Sequence, residues 1–414
     1  MPDCNAYTLR PKSARWQTGA ALLLASLASA AQAGSPGWEL VYNAPVETSL
    51  AVNDLRPAEE VWQSLFDHAG QKIDLAAFYI SGKPGSRLNK TLEHLRAAGE
   101  RGVKIRVLME EKGAGMSAPE TIAMLKAIPN LTFSQIPFGR LTGGIQHAKY
   151  LVVDSKDAWV GSQNLDWRAL EHIHETGLLI HDEKVVQQVQ SLFDHDWQLQ
   201  ARLAADQKVI PDNIQPLPFV DAPGIQLVAS PKAWNPAGIP DSEQALTTLL
   251  NSARKQVNIM VMDYTPLAYG HGPVRQYYPL IDNAVRAAAA HGATINLMVA
   301  DWNLHQPALS YLKSLAMLPR INIRYVHIPE ASSGPVPYAR VLHSKVMTLD
   351  GSHSWVGTSN WSGGYLDNSR NLEIVVKDTA LTLRLDRLFN QLWQSDYAHQ
   401  LGPDTQPVSE APGA

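Results

Sequence analysis

Two short constellations in this sequence are equipped for chemistry at an anionic centre. His147-Ala-Lys149 is followed by Asp154 and then by Gly161-Ser162-Gln163-Asn164. His343-Ser-Lys345 is followed by Asp350 and then by Gly357-Thr358-Ser359-Asn360. The step from His to Asp is 7 residues in both, and the step from His to Asn is 17. Residues two apart on a strand point to one face, so each imidazole reaches a site together with its ammonium. A Gly-bearing turn after the next short strand lets backbone and Asn approach an anion closely. Imidazole can attack or pass a proton, while ammonium and carboxamide donors can hold phosphate oxygens as charge develops. A single His-x-Lys carries no weight, because a lone strand histidine is usually structural. Two complete copies at identical spacing are another matter.

The elements around the two copies repeat as well. Residues 72–80 and 257–264 read as buried strands, each followed by a helical stretch that ends at a glycine, Gly102 or Gly292. A second strand (103–109; 294–300), a second helix around Leu125-Lys126 or Leu312-Lys313, and a third strand ending in Ile-Pro (136–137; 328–329) follow in both. The motif strand comes next. Each half then closes with a strand (176–180; 374–376) and an amphipathic helix carrying Leu-Phe and Trp: Leu192, Phe193 and Trp197, or Leu388, Phe389 and Trp393. Strands alternating with helices predict an α/β fold made of two fused sandwich halves. The prolines at 211, 216, 218 and 223 place the junction near residue 215, giving halves of 34–215 and 216–400, with a disordered tail over 401–414.

Residues 1–33 read differently. Arg10, Lys12 and Arg15 precede an Ala/Leu-rich run from Gly19 to Ala28, and Ala31-Gln32-Ala33 forms a small-x-small cleavage site. That order predicts a secretory signal peptide and an exported protein, periplasmic or secreted. The full chain carries 35 Lys and Arg against 39 Asp and Glu. Removing three of the bases and Asp3 leaves 32 against 38, a net charge of −6. No run of basic residues marks a polyanion-binding surface. Cys4 is the sole cysteine and leaves with the signal, which excludes disulfides, thiol catalysis and cysteine-bound metals from the mature chain. His172 and His174 stand two apart without a third ligand at a sensible spacing, so no metal and no cofactor is expected.

The paired motifs resemble the HxKxxxxD…GxxN signature of the phospholipase D superfamily. The resemblance implies that the two halves pack about a pseudo-twofold axis and merge both motifs in one interfacial cleft. It implies a metal-free mechanism in which one histidine forms a phosphohistidine while the other protonates the leaving oxygen and then activates water or an alcohol. His147 is favoured slightly as nucleophile and His343 as acid/base. Catalytic residues would be His147, Lys149, Asn164, His343, Lys345 and Asn360, with Glu175 and Glu373, 28 and 30 residues after their histidines, matching the family's His-orienting acids. Asp154, Asp350, Gly161, Ser162, Gly357 and Thr358 would hold the motif turns. Leu165-Asp-Trp-Arg-Ala-Leu170, Val261-Met-Asp-Tyr264, Pro337-Tyr-Ala-Arg340 and Gly357-Thr-Ser-Asn-Trp-Ser-Gly-Gly-Tyr365 further resemble the branch holding lysosomal phospholipases D of types three and four and poxviral envelope phospholipase-like proteins. That likeness puts Trp167, Tyr264, Tyr338, Arg340 and Trp361 near the cleft as substrate-shaping residues.

Three functions are left open at this point. The first is a phospholipase D that hydrolyses or transfers phosphatidyl groups, with peripheral contact to a membrane. The second is a 5′-exonuclease on single-stranded nucleic acid. The third is an inactive binding module, which two intact motifs argue against. Oligomeric state is not legible. Export and the acidic mature charge favour the lipid reading.

Overall fold

The computed structural model describes residues 37–211, 217–269 and 275–408, and residues 37 onward form one compact body. The signal-peptide expectation (1–33) and the junction near 215 lie outside the described residues. The first sheet has seven strands: β1 (Trp38–Asn43), β2 (Lys72–Ala77), β3 (Lys104–Glu110), β4 (Leu131–Ile136), β5 (Tyr150–Val153), β6 (Asp157–Gly161) and β7 (Glu175–Ile180). They lie in the order β1-β7-β6-β5-β2-β3-β4. The second sheet repeats the plan with β8 (Gly224–Ser230), β9 (Gln256–Val261), β10 (Thr294–Ala300), β11 (Ile321–Val326), β12 (Val346–Leu349), β13 (His353–Gly357), β14 (Asn371–Lys377) and an added edge strand, β15 (Ala398–Gln400). Its order is β8-β14-β13-β12-β9-β10-β11-β15. In both sheets the β2- or β9-type strand runs parallel to its neighbour on one side and antiparallel to the motif strand on the other. The repeat read from the sequence is therefore a repeat of topology.

The strands are apolar runs because both faces are covered. Along β5, Tyr150 and Val152 enter the core cluster that the two halves share, while Leu151 and Val153 enter the cluster confined to the first half. Helices α1 (Ala58–His68) and α2 (Arg87–Glu100) cover the outer face of the first sheet, and α4 (Ser242–Ser252) and α5 (Leu280–Ala290) that of the second. The inner faces pack with α3 (Glu183–Ala204) and α6 (Thr379–Trp393), whose Val189, Leu192, Phe193, Leu385 and Leu388 belong to the shared cluster. Asp182 and Asp378 start these helices by accepting from Val185 N and Leu381 N.

Past β15 the described chain, 401–408, forms no helix or strand, yet Leu401 is buried and its N–H donates to the Ile323 carbonyl, and Val408 N donates to the Leu304 carbonyl. Residues 409–414 lie outside the described residues. The His-x-Lys triplets are not inside the ladder. They directly precede β5 and β12, tied by Gly161 N to Lys149 O and Gly357 N to Lys345 O, so the chain stays extended while neighbouring backbone is released toward the other half.

Asp154 and Asp350 have a mechanical role. Each sits at positive φ in the turn after its motif strand, 52° and 51°. Asp154 accepts the backbone N–H groups of Gly70, Gln71 and Lys72, each at 2.8 Å. Asp350 accepts those of Arg254, Lys255 and Gln256. The motif turn thereby clips the entrance of β2 or β9. Burial works to raise the Asp154 pKa, and the three donors overcome it and hold the carboxyl below its ordinary value. Its contribution is present above the unfolded carboxylate pKa of about 3.9 and is lost as pH falls through the lower folded value. Asp154→Ala should cost about 1–3 kcal/mol in urea unfolding at pH 7, with the deficit shrinking in acid. An unchanged unfolding midpoint would show that solvent replaces the clip.

Candidate active site

Each histidine is built into the opposite half. His147 N and Ala148 N both donate to the Arg370 carbonyl at 2.9 Å, and Arg370 N returns to the Ile145 carbonyl. In the other direction, His343 N donates to the His174 carbonyl at 3.0 Å and His174 N to that of Val341. These reciprocal parallel bridges bring the start of β7 beside the second motif and the start of β14 beside the first.

The side chains follow the same exchange. His343 Nδ1 lies 2.8 Å from Glu175 Oε2 of the first half, and the same oxygen accepts from Ser162 Oγ at 2.5 Å. His147 Nδ1 lies 3.0 Å from Asn371 Oδ1 of the second half, which also accepts from Thr358 Oγ1 at 2.9 Å. Asn371 Nδ2 donates to the Tyr365 carbonyl, which fixes Oδ1 as the acceptor. Both rings therefore carry their proton on Nδ1 and present Nε2 as the reactive nitrogen.

The expectation for Glu373 is corrected here. It touches neither ring, and its two oxygens accept from Ser242 Oγ and Ser359 Oγ. The counterpart of Glu175 is Asn371, 28 residues after His343, the same step that separates Glu175 from His147. The sequence held this signal, but a search for an acid passes over an amide. Burial pushes Glu175 and Glu373 each up to about 7.

Lys149 and Lys345 are fully buried, and each donates to the carbonyl of its own motif histidine. Burial lowers both, Lys149 well below its ordinary value and Lys345 to about 8, and the Lys345 charge depresses Lys149 further. Burial also holds His147 and His343 well below the usual imidazole range, with both lysine charges adding to the effect. Two buried ammonium groups that repel each other are a site short of negative charge, and a bound anion would supply it. Asn164 and Asn360 are buried, and each Oδ1 lacks a partner, while Asn360 Nδ2 reaches Asp263 Oδ2 at 3.3 Å.

Gly161 and Gly357 serve close packing inside the sheet. A Cβ on Gly161 would meet Trp159 and Gly177, and one on Gly357 would meet Glu373. The substrate-shaping expectation divides. Tyr264 and Trp361 are buried in the second-half core, with Tyr264 OH donating to Asp282, so they are corrected to packing residues. Arg340 is a strut, donating to the Pro329 carbonyl of its own half and to the Val46 carbonyl of the other. Trp167 lies partly buried with Lys83 Nζ 4.5 Å above its ring, and Tyr338 is about half exposed. His172 packs edge-on against Trp167, and His174 bonds Ser344 Oγ, so the two diverge to separate partners. Phe78 and Tyr365 were not singled out for the site, yet they flank His147 at 5.4 and 5.1 Å between ring centroids and are partly exposed. Asp263 was missed as well. It is an acid held above its ordinary pKa by burial, with Lys345 close enough to pull it down.

Against known proteins, the family described as "Cardiolipin synthase, PLD-like domain" matches residues 63–197 and 246–393, one stretch in each half. The chain belongs to the phospholipase D superfamily. Phospholipase D Z of Dictyostelium discoideum is 30% identical over 82% of this chain and 85% of that protein. The mouse protein named 5′-3′ exonuclease PLD4 is 28% identical over 87% and 79%, which sets the chain in the branch its motifs resemble. Phosphatidylserine synthase of Haemophilus influenzae shares the fold, with a TM-score of 0.63 at 12% identity over 88% of this chain and 87% of that one.

The unequal backing of the two rings has a direct test. On a soluble aryl phosphodiester, Glu175→Gln should lower kcat by about two orders of magnitude, because an imidazolium on His343 loses its counter-charge. Glu373→Gln should stay within about threefold of wild type. Equal losses in the two variants would restore Glu373 to the acid/base machinery.

Proposed function

We propose that this superfamily member is a phosphodiesterase that works through a phosphohistidine on His147, with phospholipids as its substrates. The observation that carries the mechanism is the convergence of two buried lysines with two rings of fixed tautomer and unequal backing. His147, backed by a neutral amide, suits the neutral nucleophile. His343, backed by a carboxylate, suits the acid.

In the first step the His147 Nε2 lone pair forms the N–P bond as the bond from phosphorus to the leaving oxygen breaks. The bound diester's negative charge offsets the two lysines and lets His343 take up a second proton on Nε2, and the leaving oxygen takes that proton. Lys149, Lys345, Asn164 and Asn360 hold the two non-bridging oxygens while charge gathers on them. In the second step His343 removes a proton from water, the oxygen bonds to phosphorus, and the N–P bond breaks. Nε2 of His147 is regained and His343 is protonated again. An alcohol in place of water gives transfer.

The name of the Dictyostelium relative and the acidic balance of the chain support the lipid substrate. A second reading, a 5′-exonuclease on single-stranded nucleic acid, is favoured by the mouse relative's name and by Phe78 and Tyr365, rings on which a base beside the scissile phosphate would stack. We also infer export directed by residues 1–33. Among the described residues no helix is long and apolar enough to cross a membrane.

His147→Ala and His343→Ala should each remove steady-state turnover of the aryl phosphodiester, and the double variant should be scarcely worse, since the groups act as a unit. Either single variant retaining more than about a tenth of wild-type kcat would break the shared-site mechanism. Wild type quenched in acid-free denaturant should carry label from a phosphorus-labelled substrate, and the His147 variant should carry none.

Substrate class is decided by offering phospholipid with ethanol beside 5′-labelled single-stranded DNA. The lipid reading expects phosphatidylethanol together with phosphatidic acid. Salt-sensitive release of mononucleotides without phosphatidylethanol would replace it with the exonuclease reading.

A further inference from the structure

Among the described residues Arg370 is the largest charged side chain with no exposure, and it belongs to no motif. A guanidinium has five N–H donors. Here all five are placed: Nε and Nη2 on the two oxygens of Asp196 (2.8 and 2.9 Å), Nη1 on the Ser230 carbonyl (2.7 Å) and on Asn235 Oδ1 (2.8 Å), and Nη2 also on the Trp234 carbonyl (2.6 Å). Its face lies against Phe138, 5.4 Å from the ring centroid. Asp196 lies on α3 of the first half, whereas residues 230–235 belong to the second, so the group fastens the halves together at one point.

That point adjoins the nucleophile. The Arg370 carbonyl holds the N–H groups of His147 and Ala148, and the next residue, Asn371, accepts from His147 Nδ1. The pseudo-equivalent position supplies an internal comparison. His174 makes the same backbone bridge to the second motif, but its ring, packed edge-on against Tyr42, has one hydrogen-bond partner, Ser344 Oγ, and its Nε2 is buried without one. The backbone bridge therefore forms without a clamp. The clamp stands on the side where the ring is aligned by a neutral amide, and is missing on the side where the ring is aligned by a carboxylate.

We propose that Arg370, locked by Asp196, is a positioning residue for attack by His147, holding the 370–371 backbone so that a weak Asn–His hydrogen bond fixes the ring as firmly as an ion pair would. The inference rests on the assignment of His147 as nucleophile. A lysine cannot replace the fork, since it is a point charge with three donors.

The test uses the whole chain carrying Arg370→Lys or Asp196→Asn, with two readouts. The first is turnover of bis(4-nitrophenyl) phosphate, a soluble diester that serves either substrate class. The second is the side-chain nitrogen spectrum of 15N-labelled histidines, which needs no turnover. Arg370→Lys should lower kcat by about 30-fold or more with KM within about threefold, as expected for lost alignment. His147 should pass from a single Nδ1–H tautomer to a mixture, while the His343 signals stay in place. Asp196→Asn should move both readouts in the same direction and serves alone where Arg370→Lys does not fold. Leu381→Ala, a buried apolar truncation on α6, is the control: it should lower Tm and leave the His147 tautomer unchanged.

A His147 tautomer and kcat unchanged in Arg370→Lys and Asp196→Asn would overturn the proposal. So would an equal His147 response in the Leu381 control, which would mark general loosening. Failure of the His147 assignment is separate. It would appear as persisting turnover in His147→Ala, whatever the nitrogen spectra report.

Discussion

Five backbone hydrogen bonds cross between the halves beside the reactive rings: Arg370 to Ile145, His147 and Ala148 to Arg370, His174 to Val341, and His343 to His174. The rest of the site depends on that exchange. Without it, each His-x-Lys triplet would run past the end of its sheet with unpaired N–H groups, and such groups are costly once buried. With it, the strand that follows each motif in its own half also serves the other half's histidine. The two halves are bound into one catalytic unit by main-chain geometry before any side chain is considered.

The exchange also explains how two lysines and two histidines can be packed so tightly. Their mutual repulsion and desolvation oppose folding, and the surrounding structure must offset this. The shared apolar cluster does so, running from the inner face of one sheet through α3 and α6 to the inner face of the other. The Arg370–Asp196 clamp is buried beside that layer, while Asp154 and Asp350 fasten strand entrances near solvent and Arg384 reaches Asp54 at the surface. The site lies where the largest described core cluster meets the two sheets. Its buried acids, Glu175 and Asp263, are raised by burial and drawn back down by the lysine charge beside them.

Much of this was legible from the sequence, since strands buried on both faces are unbroken apolar runs and a duplicated motif repeats its spacing. The order of the elements, the two His-Lys-Asn sets and the turn-holding aspartates could be read that way. What escaped depends on partners distant in sequence. Asn371 was hidden because an amide does not look like a histidine partner, while Glu373, two residues on, does. Tyr264 and Trp361 pair across neighbouring short strands at a register that turns both rings into the core. Arg340 bonds carbonyls 11 and 294 residues away, and no local pattern announces such a role. Leu401 is buried against β11 by a contact that a Pro- and Gly-rich composition conceals.

The difference between Glu175 and Asn371 carries a consequence for how such a chain arises. In a dimer of identical single-motif subunits, one genetic change alters both rings at once, so the two must keep the same basicity by sequence and differ only through bound substrate. Fusing two copies removes that bond. Because each ring's partner comes from the opposite copy, a single substitution in one copy retunes only the ring in the other, and the nucleophile and the acid become separately adjustable. A chain that has used this freedom cannot return to symmetry. Two first halves brought together would back both rings with a carboxylate, and two second halves would back both with an amide.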